Sequence, residues 1–259
     1  MDDYSKIFDL SDKVAIITGA GMGFGLEVSR IYSQFGAAVV MVDINEKAVN
    51  NAAEQIISSG GAAVAKVCDV SDATMVKCVV EQTIKQFGKI DIMFNNAGIG
   101  KRNKAEDMTD EEFDVVIKTN LNSVFYFCRE VGKNMILRGE GGRIINMSSI
   151  ASAVGLATGN ANYSASKGGI DAMSRCLAIE WAKHGILVNT IAPTHMRTAI
   201  IEKLLKTKPE TEDYFRSNIP LGRLGEVDDI VGPALFLASD ASKFITGHVL
   251  FVDGGHTAK

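Results

Sequence analysis

Short runs of β-branched and other apolar residues alternate with longer, mixed stretches along the whole chain. Most of the runs are apolar at nearly every position, as expected of parallel strands that are covered on both faces. The pattern predicts seven strands, at 13–18, 37–43, 62–69, 90–95, 142–148, 185–191 and 248–255. Helices are predicted between them, near 23–35, 45–59, 71–87, 109–138, 161–184 and 226–239. "SDAT" and "TDEEF" supply N-caps for two of these helices.

Strands that alternate with helices through right-handed crossovers form a doubly wound parallel sheet. The sequence therefore predicts an α/β fold, a single Rossmann-type domain over 1–259 with helices on both faces of the sheet. Only residues 194–225 break the alternation, since this segment is long, charged and holds two of the four prolines. We interpret 194–225 as a mobile lobe that covers the site.

The composition excludes several classes of function. With 46% hydrophobic and 22% charged residues, the 259-residue chain is typical of a soluble protein with a sizeable core. A net charge of −4 without a basic stripe argues against nucleic-acid binding. No apolar run reaches the ~20 residues of a membrane span, and the acidic N-terminus lacks a secretory signal, which predicts a cytoplasmic protein. The cysteines and histidines form no metal-ligand pattern, so no metal is expected.

A glycine-rich stretch, "TGAGMGFG" at 18–25, follows the first predicted strand and opens the first helix. Gly19, Gly23 and Gly25 follow the spacing GxxxGxG. Such glycines let the backbone turn tightly and approach a pyrophosphate at a helix N-terminus. A glycine-rich turn alone is weak evidence, but its place between a strand and a helix favours a nucleotide.

Asp43 closes the second predicted strand. A carboxylate there can accept hydrogen bonds from ribose hydroxyls and repels a 2′-phosphate. Met22, within the glycine-rich loop, offers no cation for such a phosphate. NAD is therefore favoured over NADP, and an ordinary acid at a strand end is the alternative interpretation of Asp43.

Tyr163 and Lys167 stand four residues apart in "YSASK", so they face each other on a helix. A phenol titrates near ~10 and is a poor acid or base at neutral pH. A nearby cation lowers that pKa, and a shift to ~7 needs about 4 kcal/mol of phenolate stabilisation. The pair is a candidate proton donor, although the same residues are also compatible with the ordinary start of a buried helix.

Several further motifs combine with these. They are "CDV" (68–70), "NNAG" (95–98), "KTNLNSVF" (118–125), "INMSS" (145–149), "VNTIAP" (188–193) and "GHVLFVDGG" (247–255). Together the motifs resemble the classical short-chain dehydrogenase/reductase family over nearly the full chain. The resemblance implies a catalytic set of Asn120, Ser149, Tyr163 and Lys167. In it, Ser149 orients the substrate oxygen, Lys167 also binds the nicotinamide ribose, and Asn120 holds a water.

The resemblance also implies which residues contact the cofactor. Asp69 and Val70 are expected at the adenine and Thr198 at the nicotinamide amide. The full expected set is Gly19, Met22, Gly23, Phe24, Gly25, Asp43, Ile44, Asp69, Val70, Asn96, Ala97, Gly98, Tyr163, Lys167, Pro193 and Thr198.

Two positions depart from the family pattern. Ser149 precedes Tyr163 by fourteen residues, where members commonly have thirteen, and the adjacent Ser148 is the alternative catalytic serine. Thr194 stands where many members have a glycine, at the start of the lobe.

Lys101, Arg102 and Lys104 follow the fourth predicted strand, at the sheet edge where open α/β sheets bind ligands. Arg102 can grip a carboxylate with two hydrogen bonds, and Arg197 can close from the lobe. A solvated charged loop is the alternative. "NNAGIGKRNKAED", "PLGRLG" and "VDGGHTAK" resemble the sugar-acid branch of the family, of the gluconate 5-dehydrogenase and 2-deoxy-3-keto-gluconate dehydrogenase type.

The predicted function is an NAD-dependent oxidoreductase that interconverts a secondary alcohol and a ketone. A sugar acid is the expected substrate, otherwise a neutral polyol. A 3-oxoacyl-acyl-carrier-protein reductase, a hydroxysteroid dehydrogenase and a catalytically idle NAD-binding sensor or scaffold are the alternatives. The resemblance further implies two-fold symmetric dimers or tetramers of this chain, formed through the helices at 109–138 and 161–184.

Overall fold

The computed structural model describes residues 6–156 and 159–259. Its centre is a sheet of seven parallel strands, which confirms the predicted number and direction. The strands are β1 (Val14–Thr18), β2 (Ala38–Asp43), β3 (Ala63–Val67), β4 (Ile92–Asn95), β5 (Gly142–Met147), β6 (Ile186–Pro193) and β7 (Val249–Val252). The predicted third and seventh strands are longer than the observed β3 and β7, while β6 continues two residues further than expected.

Helices cover both faces of the sheet, as the alternation predicted. They are α1 (Gly23–Gln34), α2 (Glu46–Ser58), α3 (Ala73–Phe87), α4 (Asp110–Ile117), α5 (Ser123–Arg138), α6 (Ala161–Trp181), α7 (Ala199–Thr207), α8 (Glu210–Ser217) and α9 (Val231–Ala238). The single helix predicted at 109–138 is divided, because one π-helical turn (Lys118–Asn122) joins α4 to α5. The lobe at 194–225 contains α7 and α8, which the sequence pattern did not predict.

Both predicted N-caps are present. Asp72 accepts hydrogen bonds from the backbone of Thr74 and Met75 at the start of α3. Thr109 and Glu112 form a reciprocal capping box at the start of α4. These side chains satisfy backbone N–H groups that have no partner within the helix.

Two apolar layers enclose the sheet. The neighbouring residues Ile16 and Ile17 of β1 enter opposite layers, because side chains alternate across a strand. Helices α1, α2 and α9 cover one face and α3, α5 and α6 the other. The central strands are buried on both sides, which explains why they read as continuous apolar runs. The lobe has a small core of its own, formed by Leu205, Phe215 and Leu224.

The strand order is β3-β2-β1-β4-β5-β6-β7. The order reverses between β1 and β4, so the connections from these two strands leave in opposite directions. In open α/β sheets such a reversal creates a crevice at the carboxyl ends of the strands. The fold is therefore Rossmann-like, and the crevice receives the segments that follow β1 and β4.

A partly buried ion pair lies at the opposite end of the sheet, where the strands begin. Asp91, 9% exposed in its side chain, lies 2.9 Å from the guanidinium of Arg138 at the end of α5. The other oxygen of Asp91 accepts a 2.9 Å hydrogen bond from the backbone of Val14. Lys89 contributes a further contact at 3.2 Å. One carboxylate thus joins β1, the start of β4 and α5.

No helix in the two described segments is both long and apolar enough to span a bilayer.

Removing Asp91 should destabilise the fold without touching the crevice. Asp91→Ala removes one carboxylate partner of the largely buried Arg138 guanidinium and leaves the Val14 N–H unpaired, so we expect a loss of about 2 kcal/mol in the free energy of unfolding. Urea denaturation measures this loss. Glu140→Ala is the matched control, because Glu140 is an exposed second partner of Arg138 and should contribute at most about 1 kcal/mol. Equal losses from both variants would contradict the assignment.

Candidate active site

The glycine-rich loop turns sharply between β1 and α1. Gly19 and Gly23 have φ values of +64° and +57°, in the left-handed region that side chains disfavour. A Cβ on Gly25 would lie 2.2 Å from the carbonyl oxygen of Gly19, so only glycine fits there. A Cβ on Gly23 would meet no atom within 4 Å. The loop is therefore tightly packed at Gly19 and Gly25 and open at Gly23, at the N-terminus of α1.

Thr18 and Asn96 hold this loop against the segment after β4. The Thr18 hydroxyl accepts hydrogen bonds from the backbone of Asn96 at 2.9 Å and of Ala97 at 3.0 Å. The Asn96 amide donates back to the carbonyls of Thr18 and Gly19. Sequence analysis named Asn96 only as a cofactor contact and did not identify Thr18. A hydroxyl next to a glycine-rich turn was the available signal.

Asp43 lies at the carboxyl end of β2, beside the loop. Its carboxylate accepts hydrogen bonds from the backbone of Gly21 at 3.0 Å and of Asn45 at 2.9 Å. These bonds hold the carboxylate at the same edge as the N-terminus of α1. Asp43 thus supports the glycine-rich loop from the end of the neighbouring strand.

The other predicted cofactor residues follow β1 to β6 or open the first helix. Met22 and Ile44 are exposed, at 60% and 68%, and flank the open side of the glycine-rich loop. Thr198 caps α7, where its hydroxyl accepts a 3.5 Å bond from the backbone of Ile201. Phe24, Asp69, Val70, Ala97, Gly98 and Pro193 complete the set along the carboxyl edge.

Tyr163 and Lys167 lie in the first two turns of α6. The Lys167 ammonium stands 5.5 Å from the centre of the Tyr163 ring and donates a 2.6 Å hydrogen bond to the carbonyl of Met147. Only 5% of Lys167 is exposed. Burial lowers the pKa of Lys167 to about 8, against the opposing charge of Asp171. A buried ammonium thus faces a phenol across one helical turn.

The pKa of Tyr163 in the protein chain alone does not shift in the predicted direction. Burial raises the pKa of Tyr163, and this effect exceeds the lowering by the Ser149 hydrogen bond and the charge of Arg102. The expectation of a strongly lowered pKa is therefore not met by these side chains alone. The reason is desolvation, which disfavours a buried phenolate. A lowered pKa requires additional positive charge at the phenol.

The Ser149 side chain, and not that of Ser148, acts on the Tyr163 phenol and lowers its pKa. Ser149 also caps a short 3-10 turn (Ile150–Ser152), which fixes the direction of its hydroxyl. The Ser148 hydroxyl points to the carbonyl of Lys167 instead, at 3.4 Å. The geometry therefore favours Ser149 despite its unusual spacing from Tyr163.

Asn120 lies in the π-helical turn between α4 and α5 and is fully buried. Its amide exchanges two hydrogen bonds with the backbone of Ile99 and donates a third, at 3.2 Å, to Ser166. Ser166 in turn donates to the carbonyl of Tyr163 at 2.7 Å. Asn120 thus ties the segment after β4 to the start of α6, a role that the sequence did not indicate. Such π-helical turns are frequent at functional sites.

A cavity of about 500 Å³ lies between the segment after β4, the segment before α6, the lobe and the C-terminal segment. Arg102 lines it, and the charge of Arg102 acts on both Tyr163 and His195. Tyr163 itself is not among the lining residues, so Arg102 is the link between the cavity and the phenol. Its other lining residues are Gly155, Leu156, Asn160, His195, Leu204, Lys208, Glu210, Thr211, Tyr214, Phe215, Asn218 and His256.

Two histidines that sequence analysis passed over form one wall of this cavity. His195 stacks on Phe215 with ring centres 3.8 Å apart, and His256 lies 6.0 Å from His195. The Nδ1 atom of His256 is 2.8 Å from the hydroxyl of Thr194, the residue that replaces a family glycine. Burial, together with the charges of His256 and Arg102, lowers the pKa of His195 to about 4. The His195 imidazole is therefore neutral at pH 7.

The predicted cations differ in their surroundings. Arg102 has no carboxylate partner within residues 6–156 and 159–259, whereas Lys101 lies 3.9 Å from Glu112. Arg197 pairs with three glutamates, Glu202, Glu212 and Glu226. The hydrogen bonds and charges of Glu202 and Glu212 raise the pKa of Arg197. Arg197 is not part of the cavity lining. The charge of Arg197 is therefore already balanced by these glutamates. The hypothesis that Arg197 closes on a substrate carboxylate required a free cation.

The residues at this edge fit a dinucleotide. The loop presents backbone and the N-terminus of α1 on an open side, and Gly19 and Gly25 have no room for a side chain. The N-cap residue Met22 makes no side-chain cap, so the first N–H groups of α1 remain available to a phosphate. In the part of the chain that the structure describes, no cluster of metal-ligating side chains occurs.

These features define a dinucleotide-binding α/β protein with a tyrosine–lysine site. A family model described as enoyl-(acyl carrier protein) reductase matches residues 19–257. The chain belongs to the short-chain dehydrogenase/reductase family, and it is an oxidoreductase of CH–OH groups that uses a nicotinamide cofactor.

Curated relatives align over nearly the whole chain. An NAD-dependent glycerol dehydrogenase of Listeria innocua is 39% identical over 99% of this chain and 98% of its own. Gluconate 5-dehydrogenase of Gluconobacter oxydans is 36% identical over 98% of each. A 3-oxoacyl-acyl-carrier-protein reductase of Thermotoga maritima is 37% identical over 95% of this chain and 98% of its own.

A solved structure shows the same fold. A gluconate 5-dehydrogenase from Burkholderia cenocepacia, in complex with NADP and tartrate, superposes with a TM-score of 0.93. It is 35% identical to this chain, and the match covers 98% of each.

Proposed function

We propose that the protein is an NAD-dependent dehydrogenase that interconverts a secondary alcohol and a ketone, with Tyr163 as general acid and base. The observation that carries this proposal is the contact of the Tyr163 phenol with Ser149, one turn from the buried Lys167 ammonium. The three groups stand at the carboxyl edge of the sheet, beside the glycine-rich loop and the cavity.

Each side chain has a defined part in the proposed reaction. Tyr163 takes the hydroxyl proton when the alcohol is oxidised and returns it in reduction. Ser149 donates to or accepts from the same substrate oxygen and holds it in line with the phenol. Lys167 supplies positive charge that favours the phenolate. The bound nicotinamide cofactor accepts or supplies the hydride.

NAD is proposed over NADP because of Asp43. Its carboxylate is oriented by Gly21 and Asn45. A 2′-phosphate next to this fixed negative charge would be repelled, whereas two ribose hydroxyls can donate to it. The glycerol dehydrogenase relative is described as NAD-dependent, while the gluconate 5-dehydrogenase structure contains NADP. Because both cofactors occur among these proteins, the proposed preference for NAD rests on the carboxylate of Asp43.

The proposed substrate is a small hydroxylated molecule, most simply a sugar acid of the gluconate type and otherwise a neutral polyol. Nine of the thirteen described residues that line the cavity carry hydrogen-bonding side chains, with Arg102 and Lys208 as cations and Glu210 as the acid. Because His195 is neutral, Arg102 and Lys208 provide the charge for an anion. Arg102 is the better carboxylate ligand, since no carboxylate among the described residues pairs with it and its charge acts on the Tyr163 phenol.

The alternatives differ in what the cavity must hold. A 3-oxoacyl substrate on a carrier protein remains the second candidate, because a relative with this activity aligns over the whole domain. A steroid would rely on the apolar part of the wall, formed by Leu156, Leu204 and Phe215, and would leave the charges of Arg102 and Lys208 unused. A cofactor-binding sensor or scaffold would not need the ordered contact of Ser149 with Tyr163.

The proposed partner is a second copy of this chain. Leu137 on α5 and Ile179 on α6 are 88% and 79% exposed, although both are large and apolar. Burial of such residues against a second copy would remove them from water. We therefore propose a homodimer or homotetramer in the cytoplasm, with no nucleic-acid or membrane partner.

Tyr163→Phe tests the proton donor. The variant keeps the ring over Lys167 and removes the hydroxyl, so kcat should fall at least ~100-fold. The dissociation constant of NAD, measured by fluorescence titration, should change less than about twofold. Tyr126→Phe is the control, because it removes a phenol from α5, outside the site, and should retain full activity. Activity of Tyr163→Phe within a few-fold of wild type would refute the assignment.

Asp43→Asn tests the choice of cofactor. Asparagine keeps an oxygen that can accept from Gly21 but removes the charge, so the NAD:NADP ratio of kcat/KM should fall at least tenfold, about 1.4 kcal/mol. Asp43→Ala should in addition weaken NAD binding, because the loop loses its support. A wild-type enzyme that uses both cofactors equally well would contradict the interpretation of Asp43.

Arg102→Ala tests the carboxylate. For gluconate-type acids, kcat/KM should fall. The corresponding activation free energy should rise by about 1.5–3 kcal/mol, the range for a hydrogen bond to a charged group. The matching neutral polyols should change little. Lys104→Ala is the control, because this exposed cation of the same segment does not line the cavity. Equal losses for acids and polyols, or no turnover of any sugar acid, would remove the carboxylate from the proposal.

A further inference from the structure

Asp171 is a buried carboxylate that has no part in the mechanism above. It lies on α6 and is 6% exposed. Its Oδ1 atom has no hydrogen-bond partner among residues 6–156 and 159–259. Burial of a charged carboxylate without hydrogen bonds costs several kcal/mol. Such a group indicates an electrostatic role that offsets this cost.

The helix places Asp171 beside Lys167. The two residues are four apart on α6, so their side chains share one face one turn from each other. Both are almost fully buried, at 6% and 5% exposure, which leaves little water to screen the charges. The ammonium itself donates to the carbonyl of Met147 at 2.6 Å. Asp171 therefore acts on Lys167 through space and does not hold it by a direct ion pair.

Asp171 and burial act on the lysine in opposite directions. Burial lowers the pKa of Lys167 to about 8, and the negative charge of Asp171 raises it. The next side chain on this face, Ser174, is engaged by Asn146 of β5 at 2.9 Å. Along α6, Asp171 thus lies between Lys167 and Ser174, which is uncharged and already hydrogen-bonded to Asn146.

The other groups near Lys167 do not replace this charge. Tyr163 is the nearest titratable group on the same helix. From the π-helical turn and from the segment after β5, Asn120 and Ser149 face this part of α6, and both are uncharged. Glu112 of α4 pairs with Lys101 and accepts a hydrogen bond from Asn103, so its charge is already engaged. Arg102 acts on Tyr163 and His195.

We propose that Asp171 is a positioning residue that keeps Lys167 in its ammonium form, so that the lysine remains a cation beside the Tyr163 phenol in neutral to weakly alkaline solution. The effect on Lys167 is a property of the chain alone. The effect on the reaction rests on the proposed function, in which Lys167 favours the phenolate.

The first experiment measures the titration of Lys167 in the cofactor-free protein. Trace acetylation with acetic anhydride from pH 6 to 10, followed by mass spectrometry of the peptide, reports the fraction of neutral amine. For Asp171→Asn, the midpoint for Lys167 should move about one pH unit lower, the low end of the effect of a nearby opposite charge. Asp171→Glu keeps the charge and should titrate like wild type. Glu180→Gln, an exposed acid on the same helix, is the matched control.

An unchanged Lys167 midpoint in Asp171→Asn would overturn the proposal. The same holds for a change of oligomeric state, measured by light scattering, without a shift of that midpoint. Asp171 would then be a structural residue at an interface between subunits. Circular dichroism and the titration of the other lysines show whether the variant is folded, and Asp171→Ser, which is likewise uncharged and should show the same shift, replaces Asp171→Asn if that variant is unfolded.

The second experiment links the shift to catalysis. If Lys167 must be cationic, and its midpoint falls from about 8 to about 7, the wild-type to Asp171→Asn ratio of kcat/KM should rise from near one at pH 6 to about five at pH 8. A loss that is the same at every pH would contradict the proposed role. A shifted acetylation midpoint with no dehydrogenase activity in wild type would instead refute the proposed function while leaving the effect of Asp171 on Lys167 intact.

Discussion

The reversal of strand order between β1 and β4 is the constraint on which the rest of the site depends. Two parallel strands whose connections leave in opposite directions cannot be covered by one helix at their carboxyl ends, so a crevice remains. Thr18 and Asn96 join the two sides of this crevice through four hydrogen bonds. They hold the glycine-rich turn in the single conformation that its close packing permits. Asp43 then supports the same turn from the next strand.

The chemistry of the site results from burial. Lys167 and Tyr163 lie where water has little access, and desolvation disfavours the charged form of each. A lysine that titrates near 8 and a phenol with a raised pKa are both sensitive to any charge placed near them. In the proposed reaction, the charges of Arg102, Asp171 and a bound cofactor would therefore affect proton transfer, whereas at a solvated site the same charges would be screened.

The cavity beside the phenol is assembled from distant parts of the chain. The lobe contributes His195 and Phe215, the C-terminal segment His256, and the segment after β4 Arg102. The stacking of His195 on Phe215 and the contact of His256 with Thr194 connect the lobe to the end of the chain. If this cavity holds the substrate, as we propose, substrate selection depends on how these segments pack together, and the charge available to an anion depends on which cations are already paired.

Much of the fold could be predicted from local pattern. Continuous apolar runs of β-branched residues identified seven parallel strands, because a strand covered on both faces cannot alternate. Capping side chains such as Asp72 and Thr109 marked helix starts for an equally local reason. The π-helical turn at Asn120 and the helices α7 and α8 were not predicted. A single π turn leaves the apolar periodicity almost unchanged, and the lobe residues form a core only with one another.

For the site, sequence alone determined which groups are present and which of them neighbour each other on one element. Tyr163 and Lys167 face each other because of helical geometry, and Gly19 to Gly25 make a turn because of backbone sterics. Only the tertiary structure directed Ser149 toward Tyr163 and Ser148 toward the carbonyl of Lys167, paired Arg197 with three glutamates, and placed His195 and His256 in the cavity wall. Only the tertiary structure likewise showed that burial raises the pKa of Tyr163. Spacing along the chain determines local contacts, but desolvation and pairing between distant segments depend on how the whole chain packs.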